Sequence, residues 1–524
     1  MREQGEQSKI YETAKERIRE LVISQENNNE VYAIIKSARR FDAISLSSKR
    51  ALDWLRHLDI LIHSKSFYEE ILDKIASEAK WEGEEKANIH NRIAHQNDCI
   101  YYDLAGEDGK LIKISKIGVE EINYQIGLPI FRLSASTQAQ KEPIFGDSES
   151  LEKFSHLLRI KDSQIYQIHL VAMFLEHVPI PIMDFGGPAG SMKSTNSALT
   201  KRVIDPNGFK KEDNISSIPR SIDNMNLQLY NRYLIVYDNV SFITKEVSDT
   251  LCKAITGSSN SKRKLYSDMD EILLSIQRKL ILNGIAPNFN QPDLQDRILS
   301  YERIPFEEND RLTEEEIEEK FQKLLPLILG QIFTTLHQAM QTIHQIKKEI
   351  KPKTRMADFE IWGEAISRAL GYEPYSFLEK YHAKIKRKSI ELVESQPLVK
   401  TIVKLLEISP KYENSMERTL QDLKPIAIRL GIDVDYKYER FPKSSSKLSS
   451  ELEIIQPHLT KLGIKYQKIT YTKSDGKYSK NASIVTLTRI DCGEGSEASE
   501  PNSLFSISEN IKKKEVIDYF SIVP

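Results

Sequence analysis

The chain has 524 residues, 40% of them hydrophobic and 29% charged, so it is long enough for several domains with ordinary cores. Its 74 basic and 76 acidic residues nearly cancel, which excludes nucleic-acid binding through a global positive field and leaves local basic patches as candidates. Three cysteines lie far apart without a C-x-x-C pair, which argues against a zinc ribbon, an iron–sulfur centre or a disulfide framework.

The N-terminus lacks the apolar core of a signal peptide, and the longest apolar run, "IHLVAMFLEHVPIPIMDF", is interrupted by charged residues and prolines. We therefore expect a cytoplasmic protein without membrane contact. Residues 1–84 are predicted to be a helical region, because apolar residues recur at helical spacing in "YETAKERIRELVI". Residues 85–140 are predicted to be a small β-rich domain, since the apolar period there becomes two.

Residues 150–310 are predicted to be α/β, because helical segments alternate with short apolar strands typical of a parallel sheet buried on both faces. These strands are "PIPIMDF", "RYLIVYDN" and "RKLILNG". A helical block is expected over residues 311–392.

Residues 396–491 contain helical runs and then two strand-like runs around "KSDGK", which is the order of a winged helix. Residues 492–524 are polar and low in bulky side chains, so a disordered tail is expected.

The segment "GGPAGSMKST" follows the first apolar strand and precedes a helix, as a phosphate-binding loop does. Lys193 would reach the β- and γ-phosphates of ATP, and Ser194 would contact Mg²⁺. Met192 replaces the glycine of the usual G-x-x-x-x-G-K-[ST] pattern, so its side chain must point outward or strain the loop. The alternative is a glycine-rich turn that happens to precede a helix. The candidate nucleotide contacts are Gly187, Gly190, Ser191, Met192, Lys193, Ser194 and Thr195.

Polar residues follow the other two apolar strands. Asp238 and Asn239 end the second strand, where an NTPase has the acid that holds Mg²⁺, and Asn283 ends the third, suited to orienting an attacking water. Arg297, in "DLQDR", is suited to stabilising transition-state charge. Each has a structural alternative, namely a turn, a cap or a surface ion pair.

This order of motifs resembles an AAA+ ATPase, and the wider sequence resembles replication proteins of the superfamily 3 helicase type from plasmids, viruses and integrated elements. The matching segments are "GPAGSMKST", "VIDP", "IVYDNVSFITKEVSDTLCKAITG", "RKLYSDMDE", "KLILNGI" and "PDLQDRIL".

By that resemblance Lys193 and Ser194 are the Walker A residues, and Asp238 and Asn239 are the Walker B pair. Asn283 is sensor 1, and Arg297 is an arginine finger acting on a neighbouring subunit. The resemblance implies ATP and Mg²⁺ as cofactors and a homo-oligomeric ring, with a hexamer as the candidate size. Asn239 stands where many AAA+ proteins have a glutamate, so ATP binding is a firmer expectation than brisk hydrolysis.

Two basic segments are candidate DNA contacts. Lys262 and Arg263 open a hairpin between the second and third apolar strands, which in ring helicases projects into the pore; a solvated hairpin is the alternative. The predicted winged helix is locally basic and suits a phosphate-binding face, with packing or protein interaction as the alternative. Its candidate contacts are Lys443, Lys447, Lys473 and Lys477.

The C-terminal "KKEVIDYFSIVP" resembles a sliding-clamp binding peptide, except that Lys513 stands where glutamine is usual. A sliding clamp is therefore a further candidate partner, and docking of this tail on its own protein is the alternative.

The sequence thus predicts a ring-forming, ATP-hydrolysing DNA helicase or translocase of a mobile element. The alternatives are an ATP-gated initiator that binds DNA without unwinding it, and an ATPase that remodels proteins or acts in defence.

Overall fold

The protein forms two compact units, Met1–Ile385 and Lys386–Pro524. The computed structural model describes residues 2–25, 30–37, 40–59, 61, 63–83, 85–134, 136–186, 192–208, 210–257, 259–263, 271–275, 277–284, 292–305, 312–432, 434, 441–475 and 478–489.

The N-terminal part of the first unit is a sheet with helices on one face. Its elements are α1 (Arg2–Arg17), β1 (Ile18–Ser24), β2 (Val31–Ser37), β3 (Arg40–Ser45), α2 (Lys49–Leu58), α3 (Lys65–Glu82) and β4 (Lys86–Ala87). Strands β1 to β3 pair antiparallel, and β4 adds to β1 in parallel.

The prediction of a helical region over residues 1–84 is therefore wrong for strands β1 to β3, whereas α1, α2 and α3 are helices. One face of the sheet packs on the helices through residues such as Ile23 and Ile35, and the other face buries Val22 and Ile34 in a second cluster. A sheet buried on both faces gives apolar runs without polar alternation, so the period-two signal was absent from "VYAII".

A second antiparallel sheet follows. Its part of the chain contains β5 (Ile89–His90), β6 (Ile93–Gln96), β7 (Cys99–Asp103), β8 (Lys110–Ile114), β9 (Val119–Asn123) and β10 (Ile130–Phe131). Strands β6 to β9 form a meander in sequence order, while β10 pairs with β5 in parallel. The strands lie where period-two alternation predicts β structure, but β4 belongs to the N-terminal sheet.

The middle of the chain is a parallel sheet with flanking helices. Its elements are α4 (Ser150–Leu157), α5 (Ser163–Ala172), β11 (Ile182–Asp184), α6 (Lys193–Ile204), α7 (Ile222–Asn231), β12 (Leu234–Tyr237), α8 (Lys245–Thr256), β13 (Ser259–Arg263), β14 (Glu271–Ser275), β15 (Lys279–Leu282), α9 (Pro292–Gln295) and β16 (Ile298–Ser300).

The three apolar runs predicted as parallel strands are β11, β12 and β15, and this prediction is confirmed. The order across the sheet is β12-β15-β11-β16, and all four strands are parallel. Strands β11, β12 and β15 are buried along their whole length. The protein is thus mixed α/β. Strand β15, though later in the chain than β12, lies between β11 and β12.

Three helices follow: α10 (Glu314–Glu349), α11 (Ala357–Ala369) and α12 (Ser376–Ser395). The last of them, α12, extends past Ile385, the end of the first unit. Helix α10 starts with a capping box in which Thr313 and Glu316 satisfy each other's backbone N–H groups. Among the residues that the structure describes, no helix combines the length and apolar character that crossing a membrane requires.

The second unit has its own apolar core. Its elements are α13 (Pro397–Ile408), β17 (Lys411–Ser415), α14 (Met416–Arg429), α15 (Ser445–Lys461), β18 (Ile464–Asp475) and β19 (Tyr478–Arg489). The antiparallel sheet has the order β17-β19-β18, and the two runs predicted around "KSDGK" are β18 and β19.

His169 ties helix α5 to the parallel sheet from a fully buried position. Its Nε2 lies 3.0 Å from the carbonyl oxygen of Pro181, and its Nδ1 lies 2.7 Å from the hydroxyl oxygen of Tyr301. Because a carbonyl only accepts, Nε2 carries the proton and Nδ1 accepts from Tyr301. Burial lowers the pKa of His169 to about 3, so the ring stays neutral in the folded protein.

We expect the free energy of unfolding to fall as the pH drops from 6.5 towards 3, because the unfolded chain binds a proton that folded His169 does not. The contribution is roughly 1.4 kcal/mol per pH unit across that window. His169→Gln should flatten the pH dependence measured by urea unfolding. His156→Gln, whose parent side chain is 70% exposed, is the control and should leave the slope unchanged. An equal slope in both variants contradicts this assignment.

Candidate functional site

The predicted site residues lie at the carboxyl edge of the parallel sheet. Because β11, β12 and β15 run in the same direction and pair in register, the residues that follow them meet at one edge. Asp184 ends β11, Asp238 follows β12, and Asn283 follows β15. The start of helix α6 lies at the same edge, through a hydrogen bond to Asp238.

Ser194 and Asp238 contact each other directly. The Ser194 hydroxyl donates to Oδ1 of Asp238 over 2.9 Å, and the Asp238 backbone N–H donates to the carbonyl of Ser216. A hydroxyl and a carboxylate are hard oxygen ligands of the kind that Mg²⁺ takes, usually in sets of one or two together with waters and substrate phosphates. These two side chains fit that role. Within the described residues, no group of three or more His, Cys, Asp or Glu side chains could hold a metal ion.

Lys193 is the first residue of α6 and is largely buried. Burial lowers its pKa, and the nearby Arg303 guanidinium lowers it further, while Asp238 and Asp184 act in the opposite direction. The lysine therefore lies among two carboxylates and a second cation. Thr195 is the third residue of the same helix, whereas Gly187, Gly190 and Ser191 lie outside the described residues.

Met192 occupies a conformation that glycine adopts without cost. Its φ of 57° and ψ of 20° are left-handed, and the residue caps helix α6. A residue with a Cβ atom pays about 1–2 kcal/mol in this region. The side chain packs against the main core, which offsets part of that cost. Of the two possibilities that the sequence left open, an outward side chain or a strained loop, the positive φ shows the strained backbone conformation.

Asn239 also has a positive φ, of 55°, which asparagine tolerates better than most residues. Its N–H donates to Oδ1 of Asn283 over 3.2 Å, and Asn283 Nδ2 donates to Ser197 Oγ over 2.9 Å. The fully buried Asn283 side chain thus joins helix α6 to the turn after β12. Gly284 is needed beside it, because a Cβ there would lie 2.1 Å from the Val240 carbonyl oxygen.

Arg297 lies at the other edge of the sheet. It directly precedes β16, and its carbonyl accepts from Ile182, the first residue of β11. The guanidinium contacts Asp293 over 2.6 Å and is only 16% exposed. This hydrogen bond lowers the pKa of Asp293 to about 2. The ion pair that sequence reasoning gave as the alternative is therefore present, and Arg355 shares the same carboxylate.

Arg303 was missed by sequence reasoning. It lies three residues beyond β16, and its Nη2 donates to the carbonyl of Gly186 over 3.1 Å, which brings it to the carboxyl edge beside Lys193. It belongs to no recognisable motif. The only signal was its position shortly after a strand that the apolar pattern did not single out.

A cavity of about 470 Å³ adjoins the start of helix α6. Its apolar wall includes Leu157, Met192, Ile317 and Leu324. The titratable side chains that line it are all basic: Lys153, His156, Arg159, Lys320 and Lys323.

Within the described residues, the candidate DNA contacts lie on two hairpins, in helix α15 and just before that helix. Lys262 and Arg263 lie in β13, which pairs antiparallel with β14. The other four candidates belong to the second unit, and the structure describes three of them. Lys443 precedes α15, Lys447 lies in its first turn and pairs with Glu451, Lys473 lies in β18, and Lys477 lies outside the described residues.

The fold and the site together define a class of protein. It has a mixed α/β core, with polar side chains that converge at the carboxyl edge of a parallel sheet. Residues 155–386, a little under half of the chain, match the family model described as actinomycete integrative conjugative element replication protein. This match confirms the predicted resemblance to replication proteins of integrated elements. No curated protein matches the chain.

Among solved structures, the chain is similar to "SCCmec type IV Cch - active helicase" at 12% identity and a TM-score of 0.46, over 89% of this chain and 92% of that one. It is also similar to the apo C-terminal region of NrS-1, at 12% identity and a TM-score of 0.38, over 92% and 99%. The JCV helicase matches at 16% identity and a TM-score of 0.21, over 46% and 64%.

The strain at Met192 can be measured by comparing two substitutions. Met192→Gly and Met192→Ala lose the same packing, but only alanine keeps the Cβ atom that the left-handed backbone disfavours. We expect the glycine variant to be more stable by about 1 kcal/mol in urea unfolding. Lys253, exposed within α8, is the control: there alanine should be the more stable, by about 1 kcal/mol. The same order at both positions contradicts strain at Met192.

Proposed function

We propose that the protein is an ATP-driven DNA helicase or translocase that replicates a mobile element and works as a ring. The observation that carries this proposal is the 2.9 Å contact between Ser194 and Asp238, beside the buried Lys193. These groups are a lysine, a hydroxyl and a carboxylate that converge at the carboxyl edge of a parallel sheet. Such a set binds a nucleoside triphosphate with Mg²⁺. The replication-protein family match supports the biological role.

The sheet order supports an AAA+ core over residues 150–310. Strand β15, which Asn283 follows, lies between β11, which leads to Lys193, and β12, which Asp238 follows. This insertion brings a polar side chain between the two motifs, a position suited to orienting an attacking water. Asn283 acts by positioning: its amide holds the Asn239 N–H and Ser197.

Mg²⁺ would be held by Ser194 and, directly or through water, by Asp238. When bound, it neutralises charge on the β- and γ-phosphates. Lys193 binds the same phosphates, and the buried Asn283 fixes the turn that carries Asp238 and Asn239.

The cavity beside α6 suits the nucleoside. Its volume of about 470 Å³ lies within the range of small-molecule sites, and aliphatic walls such as Leu157 and Ile317 suit a planar base. Met192 lines this cavity and immediately precedes Lys193, so base and phosphates would bind side by side.

Arg297 supports a ring because it lies at the amino edge of the sheet, away from Lys193 of the same chain. A guanidinium there could reach the phosphates bound by a neighbouring subunit, once it leaves Asp293. The partner implied by this geometry is another copy of the chain.

The second unit supports DNA binding as a winged helix over residues 396–491. Helices α13, α14 and α15 are followed by the β18–β19 hairpin, with α15 as the recognition helix and the hairpin as the wing. The candidate contacts are Lys443, Lys447, Lys473 and Lys477. A clamp partner for the C-terminal peptide stays a prediction, since that peptide lies outside the described residues.

An ATP-gated initiator that binds DNA without unwinding it is the second candidate. It is favoured by Asn239, which lacks a carboxylate to activate water, and by the pairing of Arg297 with Asp293. Release of a labelled strand from a forked duplex separates the two functions, because the initiator would bind the fork and leave it intact.

For the ATP site, Lys193→Ala should abolish ATP binding measured by calorimetry, because it removes the cation that meets the phosphates. Lys245→Ala is the matched control, since Lys245 is also the first residue of a helix in this core but is exposed. We expect the control to bind ATP as the wild type does. Equal binding by both variants rejects the proposed site.

For the ring, Arg297→Ala should keep ATP binding and lose DNA-stimulated hydrolysis. Mixing it with Lys193→Ala should restore part of the turnover, because the Lys193 variant supplies Arg297 to its neighbour's intact site. If the mixture stays as inactive as its components, Arg297 does not act between subunits.

For DNA, the double variant Lys443→Ala/Lys447→Ala should weaken duplex binding and reduce the slope of log affinity against log salt by about 2. The matched control is Lys400→Ala/Lys404→Ala on α13 of the same unit. If the control reduces the slope as much, the effect reflects net charge and the proposed face is wrong.

A further inference from the structure

Arg303 is a cation that lies beside the proposed ATP site but belongs to no sequence motif. Its half-buried side chain lies at the carboxyl edge of β16, and Nη2 donates to the Gly186 carbonyl over 3.1 Å. Gly186 begins the glycine-rich segment that ends before Lys193, so Arg303 and Lys193 flank that segment from its two ends.

The position of Arg303 is fixed on both sides. Before it, the Tyr301 N–H donates to the carbonyl of Asp184 over 2.8 Å. After it, Arg159 donates to the carbonyls of Ile304 and Pro305. Arg159 also lines the cavity beside α6. The segment from Arg303 to Pro305 thus contacts this cavity wall through Arg159 and the proposed phosphate site through Arg303.

The electrostatics point to an anionic ligand. Arg303 and Lys193 repel each other while both are partly desolvated, and Asp184 attracts both. Bringing two cations together costs free energy that an anion bound between them repays. A guanidinium is also the side chain best suited to hold a phosphate through two parallel hydrogen bonds.

We propose that Arg303 binds the phosphates of the nucleotide held by its own subunit, on the side opposite to Asp238. The sheet order gives this side, because β16 and β12 are the two edge strands and β11 lies between them. Mg²⁺ and Asp238 would take one flank of the phosphates and Arg303 the other. The inference rests on the proposed ATP site and adds a binding residue to it.

The test compares three substitutions by calorimetric titration with Mg²⁺ and ATP. Arg303→Gln keeps an N–H donor for the Gly186 carbonyl but removes the charge, and we expect ATP affinity to fall by about tenfold or more. Arg303→Lys keeps the charge without the fork and should lose less. Lys161→Ala is the control: Lys161 pairs with Glu302, next to Arg303, but is 57% exposed, and this variant should bind as the wild type does.

The outcomes separate the inference from the function beneath it. If Arg303→Gln binds ATP like the wild type while Lys193→Ala does not, Arg303 is no phosphate ligand and the ATP site stands. If the glutamine and lysine variants lose affinity equally and both melt at lower temperature without nucleotide, Arg303 supports the fold only and the inference fails. If the wild type itself binds no ATP, the proposed function fails first.

Discussion

The parallel register of four short strands is the constraint on which the rest of the first unit depends. Because β11, β12 and β15 are buried throughout and pair in register, their last residues have no freedom to move relative to one another. Polar groups placed after such strands start from fixed backbone positions, which lowers the entropic cost of binding a polyphosphate with a cation.

The same constraint divides the sheet into two chemically different edges. One edge gathers Lys193, Asp238 and Arg303, while the other carries Arg297 in an ion pair with Asp293. The proposed function uses groups from both edges, which one sheet cannot bring to a single ligand. That proposal therefore makes turnover depend on assembly.

The apolar strands and the residues that follow them could be read from the sequence, because a buried parallel strand leaves an unbroken apolar run. Strands β1 to β3 of the N-terminal sheet could not be read in this way. They are also buried on both faces, but they lie between α1 and α2, and the helical spacing of neighbouring apolar residues dominates the pattern. The partners of Asn283 and the approach of Arg303 to Gly186 depend on which strands are neighbours. Neither depends on spacing along the chain, so no motif could reveal them.

Asp293 holds two guanidinium groups at once, and this sharing has a mechanical consequence. Arg355, its second partner, lies in the connection between α10 and α11, so the carboxylate links the helical segment to the arginine that precedes β16. A carboxylate that loses one partner holds the other more tightly. Displacement of the α10–α11 connection would thus change how readily Arg297 leaves Asp293, so this connection and the arginine before β16 are mechanically coupled through one carboxylate.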